Sequence, residues 1–303
     1  MNIQYADPPR CVLDVHTNPQ TKTKNAPVIV VLHGGAWFLG SKSYANEISK
    51  HLVDQGFVVV APCYRLTNFN NENIQMVFFF QFVTLLGFAV LSKGKTRSVL
   101  LVLLVFVILA TLCYILSNPR KIIQHPVHAN DVSRVVFWTY QNIEDFGGNR
   151  DQITILGHSA GAHLAALVSC SPRYLRKLNA PENIIKATVC ICGVFSDKRM
   201  KETRMGTNLL RNTFGDRETY TDAFPIYHVQ PNTPPHLLIN ASRDYSLMDH
   251  TFDFFFALRE QGVYVRSIVY PNTTHFGIIT AWESHNKKVL LDIVEFLRLV
   301  HSP

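Results

Sequence analysis

None of the six cysteines stands in a CxxC pair matched by a second, so the common zinc modules are excluded and no metal is expected. Most of the cysteines lie inside apolar runs and read as buried free thiols. The N-terminal stretch MNIQYADPPRCVLDV has no basic start followed by an apolar core, so no cleavable signal peptide is expected. Charged residues make up only 17% of the chain, and the lysines and arginines behind its +7 net charge are scattered. They form no basic stripe interleaved with aromatics, so nucleic acid is not an expected partner. Internal repeats and low-complexity linkers are missing as well.

The 303 residues are 47% apolar, enough for one large core. Part of that apolar content is concentrated in 76–117, and without those 42 residues 261 remain, a suitable size for one enzyme domain. Strand-like and helix-like segments alternate through the remainder. APVIVVLH (26–33) and FVVVAPCYR (57–65) are continuous apolar runs, as expected of strands buried on both faces of a parallel sheet. Helical periodicity marks 41–56, 128–149, 248–262 and 287–300, while 152–156, 185–195, 235–242 and 263–271 read as further strands. The expectation is an α/β fold, a mostly parallel sheet covered by helices on both faces.

One strand runs straight into Gly157-His158-Ser159-Ala160-Gly161, and a helix follows. A serine on a sharp strand-to-helix turn is a candidate nucleophile, with free N–H groups of the helix start beside it. Upstream, LHGGAW (32–37) places Gly34 and Gly35 where backbone N–H groups can approach a carbonyl oxygen; with Ala160 they would form an oxyanion hole. A serine hydroxyl needs a base, and the base needs an orienting carboxylate. Asp244 and His275 each stand just past a predicted strand, on the edge of the sheet that carries Ser159. Asp249 is the rival acid, although it also reads as the cap of the helix near Met248. His285 and His301 read as surface residues.

HGGAW, CYRL, FGGNRDQITILGHSAGAH, SRDYSLM and TTHFG together resemble the lipase/esterase branch of the α/β-hydrolase superfamily. Within it the chain is similar to isoprenylcysteine methylesterases and to the kynurenine formamidase/carboxylesterase group, over residues 26–75 and 118–300. The resemblance implies hydrolysis of a small-molecule carboxylic ester by a serine triad without a cofactor. Ser159 would be the nucleophile, His275 the base and acid, Asp244 the orienter, and Gly34, Gly35 and Ala160 the oxyanion donors. His33 would anchor its loop. Trp37 and Phe38 would line the substrate pocket or take ordinary core places, and His158 is expected at the substrate. An aryl formamidase is the rival enzyme; a catalytically silent hydrolase fold used for interaction is the rival outside enzymes. The basic cluster Lys198, Arg199, Lys201 and Arg204 opens a loop-rich stretch to Pro231 that would either cover the site or present a solvated face. The sequons at Asn240 and Asn272 adjoin the proposed acid and base and are discounted.

Such a fold has no need of 76–117. Residues 98–117 are 20 almost wholly apolar residues, about 30 Å as a helix, the thickness of a bilayer core. The expectation is a discontinuous catalytic domain, 1–75 with 118–303, carrying an inserted transmembrane hairpin. A greasy helical cap and translated intron sequence are the alternatives. Lys93, Lys95 and Arg97 in the turn balance Arg65, Arg120 and Lys121 in the flanks, so the positive-inside count is tied. A hairpin would imply a membrane-associated, ER-like location, a membrane lipid as partner, and an apolar or prenylated substrate. Oligomeric state is not readable from sequence.

Overall fold

Runs of β-branched residues build the strands, and the computed structural model describes residues 2–18, 25–68, 94, 98, 105, 123–244, 247–280 and 287–301. In chain order these contain β1 (Ile3–Gln4), β2 (Val12–His16), β3 (Ala26–Leu32), α1 (Asn46–Asp54), β4 (Val58–Pro62), α2 (Val127–Asn142), β5 (Gly148–His158) and α3 (Ala160–Cys170). There follow α4 (Arg173–Arg176), β6 (Ile185–Ile191), α5 (Asp197–Lys201), α6 (Arg204–Phe214), β7 (His236–Arg243), α7 (Leu247–Glu260), β8 (Val265–Thr274) and α8 (Lys287–His301). Met1–Leu66 with Gln124–Pro303 form one compact unit, and Thr67–Ile123 a second. The sheet and the candidate site belong to the first.

The described strands form one sheet in the order β1-β2-β4-β3-β5-β6-β7-β8. From β4 to β8 every pairing is parallel, whereas β1 and β2 add an antiparallel edge. That edge was not anticipated, because β1 is two residues long and β2 is mostly half-buried, too short and too mixed to show a clear period. Alternation divides the core. Val28, Val30, Leu32, Val60 and Ile155 face one layer with α2 and α3, while Ile29, Val31, Val59, Leu156 and Ile239 face the other with α1 and α8. Each such side chain, fully buried, contributes about 1.5–3 kcal/mol.

α8 shows why the helices dock. Val289, Ile293, Phe296 and Leu297 are buried while Leu291 and Glu295 point outward, an apolar stripe on one side. The helix expected over 128–149 ends at Asn142; a short 3-10 turn (Ile143–Phe146) follows, and Gly147, at φ 83°, turns the chain into β5. The loop-rich stretch after Ser196 instead holds α5 and α6. Thr203 caps α6 by accepting from the Gly206 N–H at 3.0 Å. His301 is not simply a surface residue: its Nε2 meets the Thr154 hydroxyl at 2.8 Å. His285 lies outside the described residues.

The expected membrane-associated, ER-like location is corrected by the helices themselves. Among the described residues, no helix is long and apolar enough to cross a membrane. The expected hairpin at 76–117 lies outside the described residues, apart from Gly94, Ser98 and Val105.

Candidate active site

Three strands deliver the candidate residues to one edge. Ser159 follows the last residue of β5, Asp244 the last of β7 and His275 the last of β8, and parallel pairing puts all three at carboxyl ends of neighbouring strands. This is the edge where open α/β sheets bind ligands.

Ser159 has φ 54° and ψ −119°, a region costly for a residue with a side chain, and cost of this kind persists where surrounding structure enforces it. Its N–H donates to the Ile191 carbonyl at 2.8 Å, and its own carbonyl accepts from His163 N–H at 3.0 Å in the first turn of α3. Gly161 allows that helix to sit against β3: a Cβ there would lie 2.5 Å from the Leu32 carbonyl oxygen. Ser159 is half-buried between two buried neighbours.

His275 is 5% exposed, and its Nδ1 lies 2.5 Å from Asp244 Oδ1. A carboxylate only accepts, so Nδ1 carries the hydrogen and, in the neutral ring, Nε2 is the acceptor. The other carboxylate oxygen, Asp244 Oδ2, accepts from the Asn240 side-chain amide at 3.3 Å. Asp249 lies on the exposed first turn of α7, so the carboxylate bonded to His275 is Asp244.

Gly34 and Gly35 occupy the loop after β3. Gly35 has φ 115°, and a Cβ there would come within 2.3 Å of the Leu39 carbonyl oxygen. His33 supports this loop: its Nδ1 lies 2.8 Å from the Gly34 carbonyl, and its ring stacks on Tyr64 at 4.2 Å. Burial lowers the His33 imidazole to about 4. The Tyr64 hydroxyl donates to the His33 carbonyl at 2.8 Å. Next in sequence, Arg65 grips the buried Asp131 of α2 through Nε at 2.8 Å and Nη2 at 2.6 Å. This gives the CYRL stretch a structural job behind the Gly34–Gly35 loop.

Trp37 takes the core place. It is 1% exposed, and its Nε1 donates to His163 Nδ1 at 3.2 Å. Phe38 is half-buried on the loop. His158, expected at the substrate, is 2% exposed and faces inward, with Nε2 2.9 Å from the His275 carbonyl. The basic cluster is partly neutralised: Arg199 pairs with Asp253 at 2.7 Å and Lys201 with Asp197 at 2.8 Å.

Sequence reading took Asn240 only as a discounted sequon and Cys192 only as one of the cysteines, not as parts of the site. Asn240 stands on β7 four residues before Asp244, which follows the strand's last residue. Cys192 follows β6 at φ 52°, and its thiol is pushed far up by burial and by the neighbouring Asp244 carboxylate. The ligand atoms of His158, Cys192 and His275 lie within 4.8 Å of one another. Bonds to Asp244 and to a main-chain carbonyl already engage His275 Nδ1 and His158 Nε2. The described cysteines Cys11, Cys63, Cys170, Cys190 and Cys192 are all free and buried.

Known proteins resemble this chain over most of its length. Esterase LipC of Mycobacterium tuberculosis is 27% identical over 255 residues, covering 80% of this chain and 50% of that protein. Isoprenylcysteine alpha-carbonyl methylesterase ICME of Arabidopsis thaliana is 23% identical over 291 residues, 90% of this chain and 56% of that protein. The chain thus spans about half the length of the curated relatives it matches. Among solved structures, Esterase B of Lactobacillus Rhamnosis superposes with a TM-score of 0.71 at 15% identity, over 99% of this chain and 84% of that one. A thermophilic esterase of Thermogutta terrifontis in a propionate-bound form gives 0.67 at 17% identity, over 99% and 94%. Both establish the α/β-hydrolase fold. The BD-FAE profile matches residues 13–76 and 107–251, more than half of the sequence, and the chain therefore belongs to the BD-FAE family of α/β hydrolases.

Proposed function

We propose that this chain is a serine esterase that cleaves a carboxylic ester of a small molecule through an acyl-enzyme, without a cofactor. The observation that carries the reading is the 2.5 Å bond between Asp244 and His275, set on the sheet edge where Ser159 is held in a strained elbow. Ser159 Oγ attacks the ester carbonyl carbon as its proton passes to His275 Nε2. Asp244 keeps Nδ1–H oriented and balances the imidazolium charge. The N–H groups of Gly34, Gly35 and Ala160 meet the oxyanion. Collapse breaks the bond to the alcohol, which leaves with the proton from Nε2. Water then repeats the sequence on the acyl group, releases the acid and restores Ser159.

An apolar substituent on the ester is part of the reading. Leu39, beside the oxyanion loop, is 60% exposed, and Phe276, next to His275, is 61% exposed. The esterase and methylesterase names of the relatives agree with ester cleavage.

A fluorophosphonate probe tests it. We expect covalent labelling of the wild type, with the adduct on the peptide containing Ser159, and none of folded Ser159→Ala. Equal labelling of the two would remove Ser159 as nucleophile.

A further inference from the structure

We propose, resting on the serine-esterase reading, that His158 is a positioning residue: it holds the main chain of the base, His275, in register with the nucleophile elbow. His158 is the last residue of β5, so the rigid strand that presents Ser159 also presents this ring. Its Nε2 lies 2.9 Å from the His275 carbonyl oxygen. The oxygen can only accept, so Nε2 donates, and the contact ties the elbow to a residue 117 positions away.

The tie has work to do because β8 is the outermost strand of the described sheet. It has a ladder partner on one side, β7, and the pairing shifts register between Ala241 and Arg243, shortly before His275 leaves the strand. The ladder holds this strand from one side only, up to Thr274 paired with Arg243, whereas a proton transfer needs the ring of the base placed within a fraction of an ångström. The His158 donor adds a second tie, from the strand that carries Ser159.

Its surroundings fix the donor in turn. The ring stacks on Tyr44 with centroids 5.9 Å apart and planes at 15°, and it lies 4.6 Å from the ring of His275. Its other nitrogen, Nδ1, is buried and has no partner among the described residues. That nitrogen borders the oxyanion loop: a Cβ on Gly34 would lie 2.8 Å from it. One side chain therefore touches the elbow strand, the base and the oxyanion loop together. Burial, and next the proximity of His275, lower His158 to about 3, so it stays neutral while His275 takes up its proton. A charged neighbour would oppose that uptake; a neutral donor does not.

Steady-state kinetics on a short acyl ester, normalised by active-site titration, separate this role from packing. His158→Leu fills the space without a donor, while His158→Gln carries an amide N–H near the Nε2 position. We expect His158→Leu to lower kcat by about 10²-fold with KM nearly unchanged, and His158→Gln to regain most of the loss. Equal activity of the two folded variants, or a change confined to KM, overturns the proposal. Unmodified protein gives a second test by 15N NMR of the imidazoles. At about pH 6, His158 should be the neutral tautomer with hydrogen on Nε2; a Nδ1–H tautomer or an imidazolium overturns it. Failure of the esterase reading is distinguishable, since Ser159→Ala would then retain the wild-type rate.

Discussion

If the proposed triad is right, we expect Asp244→Asn to lower kcat on the order of 10⁴-fold on a short acyl ester and Asp249→Asn to leave it nearly unchanged. The expected size is that of the same change in a well-studied serine triad, where an amide in place of the carboxylate favours the wrong imidazole tautomer. The proposed triad would bring the same consequence at this site. His275 Nδ1 must donate to Asp244 Oδ1, 2.5 Å away, for Nε2 to keep its lone pair. An asparagine can turn its NH₂ toward Nδ1, forcing the hydrogen onto Nε2, where it can no longer accept from Ser159. Asp249, exposed on the first turn of α7, contributes at most to the start of that helix. Rates of both variants, measured beside their circular dichroism spectra, decide the matter. A larger loss at Asp249 in folded protein would reassign the acid.

We expect mild acid to destabilise the protein before its carboxylates titrate. Six histidines that are at most 4% exposed, His33, His128, His158, His163, His236 and His250, are lowered by burial to about 3 or 4. The unfolded chain binds a proton at each near pH 6.5, and the folded chain does not until far lower pH. Their contribution is therefore intact above about pH 6.5 and is lost as pH falls toward 4, at about 1.4 kcal/mol per unit for each group. At about pH 5.5 the six together cost about 8 kcal/mol, comparable with the whole stability of a typical domain, about 5–15 kcal/mol. Asp14, Asp197, Asp253 and Asp292 have the opposite sign. Ion pairs and hydrogen bonds hold them below 3.8, so they help wherever they are ionised and fail only in stronger acid. Urea melts followed by circular dichroism should show the midpoint dropping steeply between pH 7 and about 5.5. A midpoint that is flat over that range would mean the buried rings protonate without strain.

Much of this protein was legible locally. Strands such as VIVVL and VVVAP are buried on both faces and so read as continuous apolar runs, and their alternation with amphipathic helices implied the parallel sheet. Once strands are parallel, their carboxyl ends share an edge, so Ser159, Asp244 and His275 could be placed there from strand boundaries alone. Other features had no local signature. β1 and β2 exist because the edge of β4 accepts them, not because their own sequences demand it. The choice of Asp244 over Asp249 rests on a distance between residues 31 positions apart in the chain. Trp37 and His158 look like pocket residues beside a glycine turn and a nucleophile, yet contacts with His163, Tyr44 and His275 turn both inward. The sequence by itself determined periodicity, turns and the order of reactive residues, because these depend on neighbours within a few positions. Which side chains touch was decided by tertiary structure alone, because strand order and helix docking bring distant positions together and period does not encode them.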